Sequence, residues 1–170
     1  MSCLPILNPT LHSTMPEDAE AIEALLDLAF GPGRTARTAY RIREQSGEDP
    51  ALAFVARLDG VLVGTIAFAP ITVGDQPARL LGPLAVAPDL AGRGIGLKLL
   101  RHGVAAAHAA GHRTIVLVGD LDYYARVGFR RIPPGRVEFP GPVDPLRLLW
   151  LPDGADNGEP PSGPLLPELH

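Results

Sequence analysis

The sequence predicts an α/β chain folded as one domain, on three observations. Residues 51–86 hold three apolar or alternating runs separated by two tight turns, the pattern of an antiparallel meander. Residues 84–118 then read as strand end, glycine-lined turn, amphipathic helix and strand, the spacing of a right-handed crossover between parallel strands. Two helical stretches precede the meander. A length of 170 residues is enough for one domain with a substantial core. Hydrophobic residues at 46% and charged residues at 20% are ordinary for a globular protein.

Taken in order, a first short strand is expected at about Pro9–Ser13. Thr14 followed by Pro16, Glu17 and Asp18 combines a hydroxyl N-cap, an early proline and first-turn acids, which opens a helix. Ile22, Leu25, Leu26 and Ala29 continue it at helical spacing, and Gly31-Pro32-Gly33 stops it. Thr35–Gln45 reads as a second, more polar helix. Its neighbourhood holds Arg34, Arg37, Arg41 and Arg43, taken as a solvated outer face in preference to the lining of a substrate opening. Ala51–Arg57 is a strand, Asp59-Gly60 a two-residue hairpin turn, and Val61–Val73 its partner, with Pro70 marking an edge or bend. After Gly74-Asp75-Gln76-Pro77, Ala78–Val86 is the third strand.

The next helix starts near Ile95 and reaches about Ala110. Ile95, Leu99, Gly103 and Ala106 form its apolar row, widened by Leu100, Val104 and Ala107, while Lys98, Arg101, Ala105 and His108 face water. Gly111 ends it, and Thr114–Val118 has the β-branched character of a buried strand. A short helix over Tyr123–Val127 follows Gly119-Asp120, with Asp120 as its N-cap. Arg130–Ile132 is a brief strand, Pro133–Pro145 a Pro/Gly loop and Leu146–Leu151 a final strand. Residues 153–170 read as a Pro/Gly-rich tail outside a domain of residues 1–152.

The chemistry points to the turn between Val86 and Ile95. Gly92, Gly94 and Gly96 line a helix N-terminus. Its first N–H groups have no internal partner, and the helix dipole adds about half a positive charge there. The plainer alternative is that the three glycines make only a flexible turn. Here they let an anion reach the backbone without meeting a Cβ, so the stretch reads as a cradle for a phosphorylated cofactor. The spacing is G-x-G-x-G, which is not the dinucleotide fingerprint, and no hydroxyl follows Lys98 as a Walker A loop requires.

A net charge of −4 without a basic block argues against nucleic acid or an acidic membrane as the main partner. Cys3 is the single cysteine, which excludes an internal disulfide and disfavours a thiolate metal site. The five histidines show no ligand spacing, so no metal is expected. No leader segment or membrane-length apolar run is present, which makes the cytoplasm the default location.

Two motifs carry a family resemblance. Leu84-x-Val86 followed by Ala91-Gly92-Arg93-Gly94-Ile95-Gly96 is similar to a (Q/R)-x-x-G-x-(G/A) signature, and Tyr124-Ala125-Arg126-Val127-Gly128-Phe129 to a Y-x-x-x-G-F segment. In this order, with a helix and a strand between them, they resemble the GNAT family, the GCN5-related N-acetyltransferases, over about Leu11–Leu151. Gly119-Asp120 with Tyr123-Tyr124 is similar to a bacterial subgroup of that family. The resemblance implies one central mixed sheet flanked by helices, whose two parallel strands splay at their C-terminal ends to admit acetyl-CoA. Leu84, Ala85 and Val86 would pair with the pantetheine arm as an added strand does. Gly92, Arg93, Gly94, Ile95, Gly96 and Leu97 would hold the pyrophosphate, with Arg126 also on the cofactor. The family has Gln or Arg where this chain has Ala91, which leaves the backbone N–H groups as the main cradle.

The same resemblance implies transfer of an acetyl group to a primary amine, on a small molecule or a peptide N-terminus. Tyr124 would be the general acid, a backbone N–H near Val86 the donor to the developing oxyanion, and Tyr123 a packing or substrate-contact residue. No carboxylate lies in Leu81-Gly82-Pro83 to serve as base, so the amine proton would leave to water or through Asp120. Two other classes stay open: a non-catalytic acyl-CoA-binding or sensing module, and a nucleotide-binding regulator built on the glycine turn. A homodimer is compatible with the sequence, which does not specify one.

Overall fold

The computed structural model describes residues 5–152 and 158–169. Cys3 and residues 153–157 of the expected tail lie outside the described residues. The chain runs β1 (Thr10–Ser13), α1 (Ala19–Phe30), α2 (Thr38–Ser46), β2 (Ala53–Leu58), β3 (Val61–Val73), β4 (Gln76–Val86), α3 (Ile95–Ala109), β5 (Ile115–Val118), α4 (Leu121–Tyr124), β6 (Arg130–Arg131), β7 (Val137–Glu138), β8 (Leu148–Leu151) and β9 (Gly163–Pro167). The sheet order is β1-β2-β3-β4-β5-β8-β6, and β9 pairs with both β3 and β7. β4 and β5 are parallel; β1 to β4 are antiparallel in sequence. The mixed sheet flanked by helices is therefore as expected.

Local chemistry explains most of these boundaries. Asp59 and Gly60 both adopt positive φ, 50° and 81°, which a two-residue turn matched to strand twist requires. The α1 entry differs from expectation. Thr14 is not its cap: the Asp18 carboxylate turns back to accept the Met15 N–H at 2.8 Å, and a 3-10 turn over Pro16–Asp18 precedes the helix. Asp18 is buried and ion-paired with Arg57 on β2, so one side chain both closes the 3-10 turn that leads into α1 and docks it on the sheet.

β3 changes neighbours along its length. Its first half pairs with β2 as far as Ala67, and its last residues, Ile71–Val73, pair with β9. Pro70 lies at the changeover, where its missing N–H leaves no ladder bond unmade and its carbonyl accepts the Glu168 N–H. The expectation of an unstructured tail is thus corrected at Gly163–Pro167, where Leu165 is wholly buried. The expected loop at 133–145 also contains β7, held in parallel by β9.

Helix α3 covers one face of the sheet. Ile95, Leu99, Leu100, Val104 and Ala107 pack with Phe54, Ile66, Phe68 and Leu117, and burying each large side chain stabilises by about 1.5–3 kcal/mol. Gly64 on β3 permits the close approach of its first turns. A Cβ there would lie 2.8 Å from Leu99 Cδ1 and 3.2 Å from Ile95 Cγ2. Lys98 departs from the expected solvated face: it is half-buried, and its Nζ donates to Asn8 Oδ1 and the Pro9 carbonyl, both at 2.6 Å. On the opposite face α1 places Leu25 and Leu26 on Ala85, and α2 places Ile42 among Ala69, Ile71 and Leu80. No helix among the described residues is long and apolar enough to cross a membrane.

Candidate active site

The parallel ladder between β4 and β5 is short. It joins Arg79 to Ile115 and Leu80 to Val116, and no pairing follows towards Leu84–Val86 and Val118. The two strands part at their C-terminal ends. On the β3 side, the Ala87 N–H donates to the Val63 carbonyl. Alternation along an antiparallel strand then turns the Leu84 and Val86 N–H groups away from β3, into the gap. The ladder is closed on one side of β4 and open on the other.

A cavity of about 580 Å³ occupies the gap and continues beneath α1 and α2. Leu81, Gly82, Pro83 and Leu84 form one wall, and Val118, Gly119, Asp120, Tyr123 and Tyr124 the facing one. Phe30, Arg34, Arg37, Tyr40 and Arg43 form the roof, with Pro142–Asp144 and Arg147 at the side. The Pro133–Pro145 stretch reaches this cavity through Pro142–Asp144. Thr38 Oγ1 holds it there through the Pro142 carbonyl at 2.7 Å.

The sequence-expected residues fall into separate groups. Leu84 and Tyr124 line the cavity, while Ala85 is buried on the opposite face against α1. Val86 packs towards α3, its Cγ2 3.4 Å from where a Gly96 Cβ would stand. The glycine turn lies at the open end. Gly92 and Gly94 have φ of 76° and 89°, and a Cβ on Gly92 would meet nothing within 4 Å. The first-turn N–H groups of α3, through Leu97, have no partner within the helix.

Gly96 has a different reason to lack a side chain: a Cβ there would stand 2.5 Å from the Tyr123 hydroxyl. Arg93 turns back to the N-terminal segment, its Nε donating to the Pro5 carbonyl and its own carbonyl accepting the Leu7 N–H. Arg126 is exposed, its guanidinium 5.8 Å from the Tyr123 ring centre, in a second recess of about 440 Å³ beside the main cavity.

Two phenols stand side by side on α4, their ring centres 5.0 Å apart at 82°. Tyr124 also packs edge-on against Phe129 and rests on Gly119, where a Cβ would come within 2.6 Å of its ring. Burial pushes the Tyr124 hydroxyl up to about 12; neighbouring Tyr123 raises it further, and Arg43 opposes the shift. Burial also raises Tyr123, with Arg126 opposing. Both phenols are neutral at physiological pH and able to donate a proton. Asp120 occupies the N-cap position of α4, but its side chain makes no capping bond; it is exposed, 3.8 Å from Arg147.

The expectation of a solvated arginine face is corrected in part. Arg41 is exposed, and Arg37 is exposed while stacking on Phe30. Arg34 is buried and bridges Glu23 and Asp27 of α1. Arg43 enters the cavity, where its NH2 sits 2.5 Å from the place a Gly82 Cβ would take. Gly82, at φ 132°, is required there on both counts. Desolvation lowers the Arg43 guanidinium to about 10, against the opposing fields of Glu48, Tyr124 and Tyr40. Position 43 follows Ile42 and lies four residues after Ala39, on the inward flank of α2, which is the signal that could have found it.

Comparison with known proteins bears on this architecture. Residues 19–129 match the family described as the acetyltransferase (GNAT) family. The chain is 36% identical over 124 residues to the uncharacterized N-acetyltransferase YjhQ of Escherichia coli, covering 71% of this chain and 68% of that protein. Among solved structures it superposes on a GNAT family acetyltransferase from Brucella melitensis in complex with acetyl-CoA, with TM-score 0.70, 30% identity, and 94% and 95% of the two chains covered. It also superposes on the N-acetyltransferase YhbS of Escherichia coli in complex with CoA, with TM-score 0.79, 25% identity, and 99% and 94% covered.

Proposed function

The chain belongs to the GNAT acetyltransferase family and is an acyltransferase, and from that premise we propose that it moves an acetyl group from acetyl-CoA to a primary amine held in the cavity, with Tyr124 as general acid. The observation that carries the proposal is the parting of β4 and β5 beyond Leu80–Val116. It sets an unpaired strand edge and the Tyr124 phenol on one cavity, and Tyr123 of the same lining reaches Gly96 at the glycine-lined start of α3.

The residues fit such a donor. Leu84 and Val86 offer N–H groups to an extended amide-bearing arm. Gly92 leaves its backbone open to a diphosphate, and the first turn of α3 supplies unpaired donors and a positive dipole end. With Ala91 exposed and Arg93 held by Pro5, backbone donors carry most of this contact. The bound thioester supplies an activated acyl group. The Val86 N–H faces the side where negative charge develops on the acyl oxygen, and preorganised donors of this kind are often the largest catalytic contribution. Tyr124 keeps its proton until a thiolate forms. A phenol near 12 is neutral at pH 7, whereas a thiol of ordinary pKa is about 8.5, so the phenol keeps an O–H to hydrogen-bond the departing thiolate; passing that proton on runs uphill by about 3–4 pK units and is offset by the proton that the amine releases, which restores the phenol.

Proton removal from the amine has no dedicated base. The acids in the cavity lining are Asp120, at the rim beside Arg147, and Asp144, whose Oδ1 accepts the Leu146 N–H. The proton leaves to water, directly or by way of Asp120. The position of the Tyr123 hydroxyl against Gly96 supports a second assignment, in which Tyr123 is the acid and Tyr124 packs.

Acetyl-CoA is incubated with an amine panel, thiol release is followed, and the wild type is compared with Tyr124→Phe and Tyr123→Phe. Amine-dependent release that falls at least tenfold in Tyr124→Phe supports the reading. A larger fall in Tyr123→Phe reverses the two roles. Coenzyme A binding with no release for any amine would leave a non-catalytic binding module.

A further inference from the structure

The cavity holds a cation that no described residue meets at hydrogen-bond or ion-pair distance, although the field of the Glu48 carboxylate reaches it. Arg34 is ion-paired with Glu23 and Asp27, although its Nε is also enclosed without a partner, and Arg147 has Asp120 at its rim. Arg43 makes no hydrogen bond or ion pair among the described residues, and its Nε is enclosed without a partner. Leaving a guanidinium group desolvated and unpaired is among the costlier arrangements in a fold, and such charges are ordinarily paired. Its surroundings hold it in place. Gly82 leaves room for NH2, and Tyr124 and Tyr40 stand close enough for their fields to act on it. The same cavity wall carries Tyr124, the phenol assigned to proton donation.

We propose that Arg43 is the anchor for a carboxylate on the acceptor, so that the amine substrate is an amino-acid-like molecule whose carboxylate pairs with Arg43 while its amine faces Tyr124. This rests on the acetyltransferase reading and deepens it by naming the substrate class. A guanidinium group offers a planar fork of donors that matches a carboxylate, and the desolvated setting strengthens the pair. An overall charge of −4 gives no hint of this preference, because the cationic residue is local to the cavity. The carboxylate would also restrict which amines are productive, since a site built to pair one charge leaves it unpaired when the ligand lacks the partner.

The experiment compares each of the common amino acids with its own carboxamide as acceptor, by thiol release from acetyl-CoA, in wild type, Arg43→Gln and Arg43→Lys. The expected result is a kcat/KM at least tenfold higher for the acids that are turned over than for their amides. That ratio should collapse to within twofold in Arg43→Gln and return in part in Arg43→Lys. Equal use of acids and amides by the wild type overturns the proposal, as does a ratio unchanged in Arg43→Gln. A second measurement covers acceptors turned over too slowly to rank: calorimetry with N-acetyl amino acids against N-acetyl amino acid amides, with and without coenzyme A. Equal affinity of the two sets for wild type again overturns the carboxylate anchor. Coenzyme A binding in the same titrations reports separately on the acetyltransferase reading. Its absence sinks that reading, whereas CoA binding with no acid preference sinks only the anchor.

Discussion

Replacing Arg43 by methionine should make the protein more stable. The guanidinium group is lowered to about 10 by burial, from an ordinary value of about 12.5. A base whose native pKa is depressed has its charged form disfavoured by folding. The penalty is present in full below pH 10 and fades as pH rises from there towards the unfolded value. At about 1.4 kcal/mol per tenfold, the upper bound is ~3 kcal/mol. The side chain is half-buried, so solvent screening discounts this to ~1–2 kcal/mol. Methionine keeps an unbranched apolar side chain and removes both the charge and the unpartnered Nε that lie over Gly82. For a domain of this length the gain corresponds to a rise in Tm of roughly 3–6 °C. Thermal unfolding at pH 7, followed by circular dichroism and by the emission of buried Trp150, the only tryptophan in the chain, measures it. A Tm that falls, or that does not move, would mean that the native protein already satisfies the Arg43 charge, and the reasoning about an unpaired cation would fail. A residue that costs stability where it stands is expected at a working site.

The remaining predictions concern the phenols, the glycine seat and the buried ion pair. Tyr124→Phe should lower kcat at least tenfold while leaving coenzyme A affinity by calorimetry within about twofold, with Tyr123→Phe losing less. Because the Tyr124 hydroxyl titrates near 12, its acid form persists through pH 10, so the kcat profile should show no alkaline fall below pH 10; a descending limb near pH 8–9 would remove this phenol as donor. Gly64→Ala should destabilise by about 1–3 kcal/mol, since its Cβ presses on fully buried Leu99 and Ile95, and by displacing the first turns of α3 it should weaken coenzyme A binding, both measured on one sample by denaturation and calorimetry. Asp18→Ala removes the partner of the Met15 N–H and of Arg57, and should cost about 2–3 kcal/mol in urea denaturation without changing KM for acetyl-CoA.

Where local chemistry decides a structure, the sequence is readable. Asp59-Gly60 has only one inexpensive conformation, and the start of α3 at Ile95 follows from glycines that cannot hold a helix and apolar residues that can. The parallel pairing of β4 with β5 follows from connection length and handedness. Where a distant partner decides it, the reading fails. Thr14 and Asp18 are both competent caps, and the ion pair with Arg57, 39 residues away, selects Asp18. Gly163-Pro164-Leu165-Leu166-Pro167 has prolines at two of five positions and reads as loop; it is a strand because β3 has free backbone beyond Pro70 and Leu165 has a core to enter.

The site divides in the same way. The glycine turn is read from its spacing, and Tyr124 from the family motif that it opens. Arg43 resembles any helix-surface arginine until the tertiary structure folds Gly82 beneath it, and Gly96 resembles a phosphate glycine until the Tyr123 hydroxyl is found against it.

Strand β9 fixes where the chain can safely be cut. A version ending at Pro152, as composition alone would suggest, would lose Leu165 and strip Ile71, Thr72 and Val73 of their outer mates. The bared rim would belong to a strand of 13 residues whose core half is almost wholly apolar. Such a rim captures extended peptide, including the identical rim of another molecule, so the shortened protein should self-associate and precipitate while its acetyl-transfer residues remain intact.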